Sequence, residues 1–299
     1  IRLSLVGSEM CIRDSIRRAP DGNLSFILVY VDDLLIVARV VAEIEWGKEL
    51  LKKDFTIHDL GEVNDFLGCQ VLRNRVQGTI SMSCTPKIDA LVEKFGVADD
   101  GRVVDTPMSK DFVASSRPES SDGMSHGAGT PLPPGHRYCE LIGSLLYIAN
   151  TTRPDISQAV GVLSRYRMTP TTSHWNEAIR VLKYLRDTRE LALTLGGKGP
   201  ELEGYVDADY AGDLDHRYST TGYVLSVYGS AVVWGSKKQS SVATSTVQAE
   251  FMAAGHIVKE ANWLRGFLEE IGAAPWRVKI FCDNQGCISN LRNPLSSKF

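Results

Sequence analysis

The sequence predicts a mixed α/β protein that is organised in several parts. Its 299 residues are 43% apolar and 23% charged, a balance that suffices for sizeable hydrophobic cores. Short runs rich in β-branched residues alternate with segments whose apolar residues recur at helical spacing. From Glu201 onward the predicted order is three strands, a helix, a strand and a helix, which is typical of a mixed-sheet α/β domain.

The first half of the chain predicts two strand pairs, each followed by a helix. Residues 24–37 contain two short runs rich in β-branched residues around an Asp-Asp turn and predict a hairpin, and residues 42–53 have helical period. A second strand pair is predicted at 66–73 and 79–83, with a helix at 88–95.

A linker and a helical region are predicted next. Residues 109–135 are rich in Ser, Gly and Pro, which indicates a flexible linker. Residues 138–167 are helical in pattern with a break at 151–155, and another helix starts after Pro170. One face of that helix is apolar, and another carries three bases, Arg180, Lys183 and Arg186. Two interpretations of these bases stay open: they form an ordinary solvated surface, or they contact nucleic-acid phosphates.

The last hundred residues predict the mixed sheet. The predicted strands, helix, strand and helix are, in order, 202–206, 222–227, 231–234, 246–271, 278–282 and 285–291. The long helix has an apolar stripe at helical period, which predicts that it packs against the sheet: Ile257, Ala261, Leu264, Leu268 and Ile271.

Two adjacent aspartates, Asp32 and Asp33, lie at the tip of the first predicted hairpin in the segment Tyr30-Val-Asp-Asp33. A turn needs only one Asp or Asn, and two like charges at this distance repel unless a cation neutralises them. Nucleotidyl transfer uses such a cation site, because two metal ions stabilise the attacking and leaving oxygens. The pair is therefore a candidate metal site, and an acidic turn without function is the alternative.

A second set of carboxylates comprises Asp207, Glu250 and Asp283. Asp207 follows the first strand of the mixed sheet, Glu250 lies in the first turns of the long helix, and Asp283 follows the next strand. Adjacent strand ends and a helix start can converge in such a sheet, so the three acids are candidate ligands of one metal cluster. Each acid taken alone has a structural explanation, and for Glu250 this is stabilisation of the helix dipole.

Several segments, in this order, resemble the Pol polyproteins of copia-type retrotransposons. The resemblance runs from about residue 25 to residue 299 and rests on many short motifs rather than on one. The motifs that carry it include Tyr30-Val-Asp-Asp-Leu-Leu-Ile36, Asp59-Leu-Gly-Glu-Val-Asn-Asp-Phe-Leu-Gly68, Thr152-Arg-Pro-Asp-Ile156, Asp207-Ala-Asp-Tyr-Ala-Gly-Asp213, Ser245-Thr-Val-Gln-Ala-Glu250 and Asp283-Asn-Gln285.

The resemblance implies a division of the chain. Expected are the end of a reverse transcriptase palm and its following region at 16–108, a linker at 109–137 and a helical connection region at 138–196. A ribonuclease H-like mixed-sheet domain that lacks its C-terminal part is expected at 197–299. Residues 1–15 are set apart because Leu5-Val-Gly-Ser-Glu-Met-Cys-Ile-Arg-Asp14 is similar to a translated sequencing adapter, with a chance peptide as the alternative.

The resemblance also implies roles for the two acidic sets. It makes Asp32 and Asp33 polymerase metal ligands, and Asp207, Glu250 and Asp283 ribonuclease metal ligands, with Mg²⁺ as the cofactor and Mn²⁺ as a substitute. The implied partners of the parent protein are an RNA template, a DNA primer and an RNA–DNA hybrid. The implied location is a cytoplasmic virus-like particle or the nucleus, and the sequence does not determine an oligomeric state.

Departures from the family pattern limit the expected activity. The third polymerase acid of the family is expected upstream of these residues, and the fourth ribonuclease acid after Phe299, so we expect no polymerase activity and at most weak ribonuclease activity. An inert relic is one alternative, and a standalone host ribonuclease H is disfavoured by the upstream hairpin. A third alternative is a module that binds hybrids without cleaving them, through Arg180, Lys183, Arg186, Lys237 and Lys238.

Composition excludes several other classes of protein. The net charge is −3 and the pI about 6.1, whereas a nucleic-acid coat protein would be strongly basic. The six cysteines form no C-x-x-C pair, which predicts reduced, mostly buried thiols and no zinc site. No signal peptide or membrane-spanning segment is predicted, because the longest apolar stretch is short and interrupted by aspartates.

Overall fold

The computed structural model describes residues 13–19, 22–31, 33–99, 101–112, 114–115, 129–199, 201–273 and 277–293. The chain divides into two compact units. Unit 1 comprises Ile1–Leu67 with Phe267–Ala274, and unit 2 comprises Gly68–Gly266 with Pro275–Phe299. Residues 1–12 of the predicted adapter and residues 116–128 of the predicted linker lie outside the described residues.

Unit 1 contains a three-stranded antiparallel sheet with the strands in sequence order. The predicted hairpin and helix are confirmed, and the first strand was not predicted. The elements are β1 (Arg13–Arg18), β2 (Leu24–Tyr30), β3 (Asp33–Ala38), α1 (Val41–Lys52) and the two-residue strand β4 (Asp65–Phe66).

Unit 2 begins with the second strand pair and the helical region. Its first elements are β5 (Cys69–Asn74), β6 (Thr79–Ser83), α2 (Thr85–Lys94), α3 (Tyr138–Thr151), α4 (Ser157–Leu163), α5 (Thr172–Asp187) and β7 (Leu193–Leu195). Strand β7 differs from the prediction that 138–196 is helical. It forms because it pairs antiparallel with β6, a partner that lies far away in sequence.

The core of this region comes from the apolar faces of α2, α3, α4 and α5. The apolar face that the sequence predicts for the helix after Pro170 is the buried one. Several core side chains are fully inaccessible to solvent: Leu141, Leu145, Ile148, Leu182 and Leu185. Complete burial of one such leucine contributes about 1.5–3 kcal/mol, so this cluster is a major source of stability for unit 2.

A buried arginine joins the start of α4 to the end of α5. Arg153 is 2% exposed and donates hydrogen bonds to the Asp155 carboxylate, at 2.7 to 3.2 Å, and to the carbonyl and hydroxyl of Thr188, at 3.0 and 2.7 Å. Asp155 also accepts a hydrogen bond from the Tyr184 hydroxyl at 2.8 Å. The Thr-Arg-Pro-Asp segment therefore has a structural role in fixing two helix ends.

The second part of unit 2 is the predicted mixed sheet with its helices. The elements are β8 (Leu202–Asp209), β9 (Thr220–Val227), β10 (Ser230–Lys238), α6 (Thr246–Glu270), β11 (Lys279–Phe281) and α7 (Gln285–Arg292). The strand order is β10-β9-β8-β11, in which β8, β9 and β10 are antiparallel and β11 runs parallel to β8. The order of elements predicted from Glu201 onward is confirmed.

Helix α6 packs on the face of β8 that carries Leu202, Gly204 and Val206, all of them buried. A Cβ atom at Gly204 would lie 2.7 Å from Leu225 Cδ2 and 2.9 Å from Ile257 Cδ1, so only glycine permits this close approach. The predicted apolar stripe of α6 supplies the opposing surface, since Ile257 is fully buried. This packing fixes the start of α6 beside the end of β8.

Candidate metal-binding site

Asp33, one member of the first acidic pair, lies at the tip of the β2–β3 hairpin in unit 1. Asp33 is exposed and pairs in register with Tyr30 across the hairpin. Val31 in the turn has a φ of 54°, in the left-handed region that a β-branched residue rarely adopts. Asp32 lies outside the described residues. The structure thus places Asp33 at an exposed hairpin tip and leaves the geometry of the pair undescribed.

The second acidic set converges in unit 2. Asp207 lies near the end of β8, and Asp283 follows β11. Because Phe281 is the register partner of Tyr205 in the parallel pair, Asp283 and Asp207 each lie two residues beyond that pair, at the same end of the sheet. Both aspartates are exposed.

Glu250, in the first turns of α6, is the buried member of the set at 5% exposure. Its Oε1 accepts a hydrogen bond from the backbone N–H of Ala208 at 3.3 Å, and the same N–H donates to Asp207 Oδ1 at 2.8 Å. Ligand atoms of Glu250, Cys282 and Asp283 all lie within 4.8 Å of one another. Glu250 therefore lies close to Asp283, and it shares the N–H of Ala208 with Asp207.

The electrostatics of the cluster favour a cation. Burial, together with the nearby negative charges of Asp207 and Asp283, raises the pKa of Glu250 to about 7, although the Ala208 N–H acts in the opposite direction. Carboxylate oxygens are the hard ligands that Mg²⁺ and Mn²⁺ prefer. The donor set therefore fits a divalent cation, which would relieve the repulsion that now raises the pKa of Glu250.

Cys282 is a neighbour of the site that sequence reasoning did not identify. Its Sγ lies 3.8 Å from Glu250 Oε2, and burial raises the pKa of its thiol, which keeps it protonated at neutral pH. A protonated thiol is a poor ligand for a hard cation. Cys282 therefore packs beside the carboxylates, and no sequence pattern marks it because the contact depends on the approach of α6 to β11.

An open groove of about 280 Å³ adjoins the cluster on the sheet face. Asp207 and Asp209 line it from β8, and Pro154, Ser157 and Gln158 line it from the start of α4. The groove gives the exposed carboxylate of Asp207 access to a ligand that lies across the sheet.

The loop after β8 depends on a glycine that allows a close side-chain approach. A Cβ atom at Gly212 would lie 1.8 Å from Asp209 Oδ2, so a larger residue would displace the Asp209 carboxylate from its place in the groove lining. Asp213, the last residue of the same motif, is buried and forms an ion pair with Lys238.

Gln248, two residues before Glu250, has a local structural role. Its Oε1 accepts hydrogen bonds from the backbone N–H and the hydroxyl of Thr244, each at 2.7 Å, and its own backbone N–H donates to Ser245 Oγ at 3.1 Å. These bonds organise the first turn of α6. Gln248 therefore supports the helix start that carries Glu250.

Two arginines of the predicted basic face of α5 form hydrogen bonds within the chain. Arg186 has an 11% exposed side chain and donates to the carbonyl of Ala98 at 2.6 Å, and Arg180 donates to the Thr106 hydroxyl at 3.0 Å. Lys183 is half-buried and Lys237 is exposed. These contacts favour the ordinary-surface alternative for the two arginines, and the nucleic-acid role of this set stays a prediction.

No helix among the described residues is both long enough and apolar enough to cross a membrane.

Comparison with known proteins identifies the family. The family described as reverse transcriptase (RNA-dependent DNA polymerase) matches residues 15–110. The chain is 36% identical over 290 residues to the retrovirus-related Pol polyprotein from transposon TNT 1-94 of Nicotiana tabacum, covering 96% of this chain and 21% of that protein. It is 32% identical to the corresponding polyprotein from transposon RE2 of Arabidopsis thaliana, covering 91% of this chain and 18% of that protein.

A third relative is similar in length. A protein of Saccharomyces cerevisiae assigned to transposon Ty5-1 is 34% identical over 248 residues, which are 82% of this chain and 76% of that protein. The chain spans about a fifth of the length of the two plant polyproteins. No solved structure matches the chain at a significant level.

The mixed α/β fold and the reverse transcriptase segment are together those of a retroelement protein. The chain belongs to the Pol polyproteins of copia-type retrotransposons, as the resemblance of its motifs predicts.

Proposed function

We propose that residues 201–293 form a ribonuclease H-like centre, in which Asp207, Glu250 and Asp283 bind Mg²⁺ and direct cleavage of the RNA strand of an RNA–DNA hybrid. Mn²⁺ is expected to substitute for Mg²⁺. The observation that carries the proposal is the convergence of buried Glu250 with two exposed aspartates at the ends of adjacent parallel strands.

The three carboxylates have different tasks in this proposal. Asp207 and Asp283 offer exposed oxygens on the sheet face, where the adjoining groove admits a phosphodiester backbone. Glu250, which is buried and accepts the hydrogen bond of the Ala208 N–H, fixes the position of the metal from the side of α6. When bound, divalent metal ions activate a water molecule and stabilise the leaving oxygen of an in-line displacement.

The family assignment supports a second proposed site in the parent polyprotein. Asp32 and Asp33, at the tip of the first hairpin, are proposed as metal ligands of the polymerase, which copies an RNA template from a DNA primer. The exposed position of Asp33 beside a tight left-handed turn is consistent with a carboxylate that faces a ligand. The adjacent negative charges at the tip favour a divalent cation in the same way as the second site.

The ribonuclease proposal is tested with the chain of residues 1–299 and a labelled RNA–DNA hybrid. We expect RNA loss in Mg²⁺ or Mn²⁺, none in EDTA, and none in Asp207→Asn or Glu250→Gln. Glu190→Gln is the matched control, because that side chain is 85% exposed, and it should retain activity. Calorimetric titration with Mn²⁺ gives an independent readout, since the two site variants should lose metal binding while the control keeps it.

Two results would contradict the proposal. One is RNA loss that persists unchanged in Asp207→Asn, which would assign the activity to another site or to a contaminant. The other is salt-sensitive hybrid binding without metal-dependent cleavage by a folded chain, which is the behaviour of a non-catalytic binding module.

A further inference from the structure

Two cysteines in unit 2 face each other across the β5–β6 hairpin. Cys69 begins β5, and Cys84 directly follows β6. Because Gln70 pairs with Ser83 in the antiparallel register, Cys69 and Cys84 are opposite each other one step further along the ladder. Directly opposite residues in antiparallel strands have Cα atoms about 4.5–5.5 Å apart, which is within the range that a disulfide spans.

The side chains also meet the requirement. The two Sγ atoms lie 3.1 Å apart, and the residues are 2% and 1% exposed. Disulfide formation therefore needs only a small rearrangement of the two side chains, without movement of the strands. The sequence alone gives no indication of this pair, since the cysteines are 15 residues apart and belong to no C-x-x-C motif.

The surroundings distinguish the two sulfurs chemically. The hydrogen bond that the two thiols share lowers the pKa of Cys84, and burial raises it. Thr151 Oγ1, 3.4 Å from Cys84 Sγ, and the positive charge of Lys87 also lower the pKa of Cys84. The same hydrogen bond raises the pKa of Cys69. Cys84 is thus the sulfur that attacks an oxidant, and Cys69 is the sulfur that resolves the product.

We propose that Cys69 and Cys84 form a redox-reversible disulfide when a small peroxide oxidises them. This disulfide covalently links the two strands of the β5–β6 hairpin at the edge of the helical core. In the first step the Cys84 thiolate takes one oxygen atom from hydrogen peroxide, giving a sulfenic acid and hydroxide. In the second step Cys69 attacks the Cys84 sulfur, the S–S bond forms, and the sulfenic oxygen leaves as water. In total two thiols and one peroxide give one disulfide and two water molecules.

The proposed disulfide has a measurable consequence for stability. The disulfide closes a loop between residues 15 positions apart, and a loop of this length restricts the unfolded chain strongly. For a unit of this size we expect the midpoint of thermal unfolding to rise on the order of 10 °C. The site is independent of the proposed metal centre, so failure of one proposal leaves the other intact.

Peptide mapping of the full chain tests the proposal. Trypsin places the two cysteines on separate peptides, residues 54–73 and 76–87, so a disulfide appears as one linked species in mass spectrometry without reductant. The folded, reduced chain is treated with hydrogen peroxide, its free thiols are alkylated, and it is then digested. We expect the linked species together with the rise in unfolding midpoint, and both should be reversed by dithiothreitol.

Variants make the assignment specific. Cys69→Ser and Cys84→Ser should each abolish the linked species and the thermal shift, whereas Cys139→Ser, which removes an exposed thiol, should retain both. Should a serine variant fail to fold, the mapping of the unchanged chain still decides the question. The proposal is overturned if the link is absent from the folded chain, if it forms equally well in urea-unfolded chain, or if the linked chain unfolds at the same temperature.

Discussion

Replacing Glu250 by glutamine tests the electrostatics of the acidic cluster directly. The pKa of Glu250 is about 7 in the folded chain, against an ordinary value of 4.5. A difference of this size corresponds to about 3 kcal/mol of lost folding free energy once the carboxyl is ionised in both states. Glutamine has nearly the same shape and no charge, so in EDTA the variant should be more stable than the unchanged chain at pH 8, by up to about 3 kcal/mol.

The dependence on pH follows from the direction of the shift. Below pH 4.5 the carboxyl is protonated in both states, and the variant and the unchanged chain should have equal stability. Between pH 4.5 and 7 the unfolded chain releases the proton first, so the stability of the unchanged chain falls as the pH rises. Above pH 7 the full difference is reached and remains constant.

Urea unfolding at pH 4.5, 6 and 8, in EDTA and in Mg²⁺, measures the effect. Mg²⁺ should stabilise the unchanged chain at pH 8, because a ligand that binds only the folded state adds its binding free energy, and should leave Glu250→Gln nearly unaffected. Glu260→Gln, on the same helix and 32% exposed, is the matched control and should change stability by less than about 0.5 kcal/mol. Equal stabilities of Glu250→Gln and the unchanged chain at pH 8 in EDTA would refute the reasoning.

Two further substitutions test how unit 2 is held together. Arg153→Met should lower the free energy of unfolding, measured in urea, by about 3–5 kcal/mol, because it leaves the partly buried carboxylate of Asp155 without its ion-pair partner. The control Arg189→Met, at a side chain that is 51% exposed, should lower it by less than about 1 kcal/mol. Equal losses for the two variants would argue against a structural role for Arg153. Gly204→Ala should cost about 1–3 kcal/mol, because the added methyl meets packed side chains at 2.7 and 2.9 Å. The control Gly255→Ala, on α6, adds a methyl group that has no neighbour within 4 Å, and it should stabilise the chain by about 0.5–1 kcal/mol. If Gly204→Ala leaves the free energy of unfolding unchanged, α6 can shift away from the sheet at no cost.

The sequence predicted most secondary-structure elements of both units, because their signals are local. The hairpin of unit 1, the helices of the core and the long helix α6 all follow from hydrophobic period and turn residues within a few positions. Strand β1 was missed because residues 1–15 were set apart from the fold prediction, and β7 was missed because its three residues form a strand only beside a partner strand. For β7 that partner lies more than a hundred residues away in the chain.

The candidate site likewise has features that the sequence predicted and features that it did not. The order of elements and the identity of the three acids at strand end, helix start and strand end were available from the sequence, together with the family that their motifs resemble. The burial of Glu250, the adjacent thiol of Cys282 and the groove beside Asp207 were not available, because each depends on how closely α6, β11 and α4 approach β8.

The sequence by itself determined the family, the element types and the residues that can carry metal chemistry, since these are properties of local pattern and residue type. Only the tertiary structure decided which side chains meet. In the folded chain Arg186 donates a hydrogen bond to a backbone carbonyl, Arg153 joins two helix ends, and Cys69 contacts Cys84. The physical reason is that such contacts arise from strand pairing and helix packing between distant segments, and no local pattern encodes the partner.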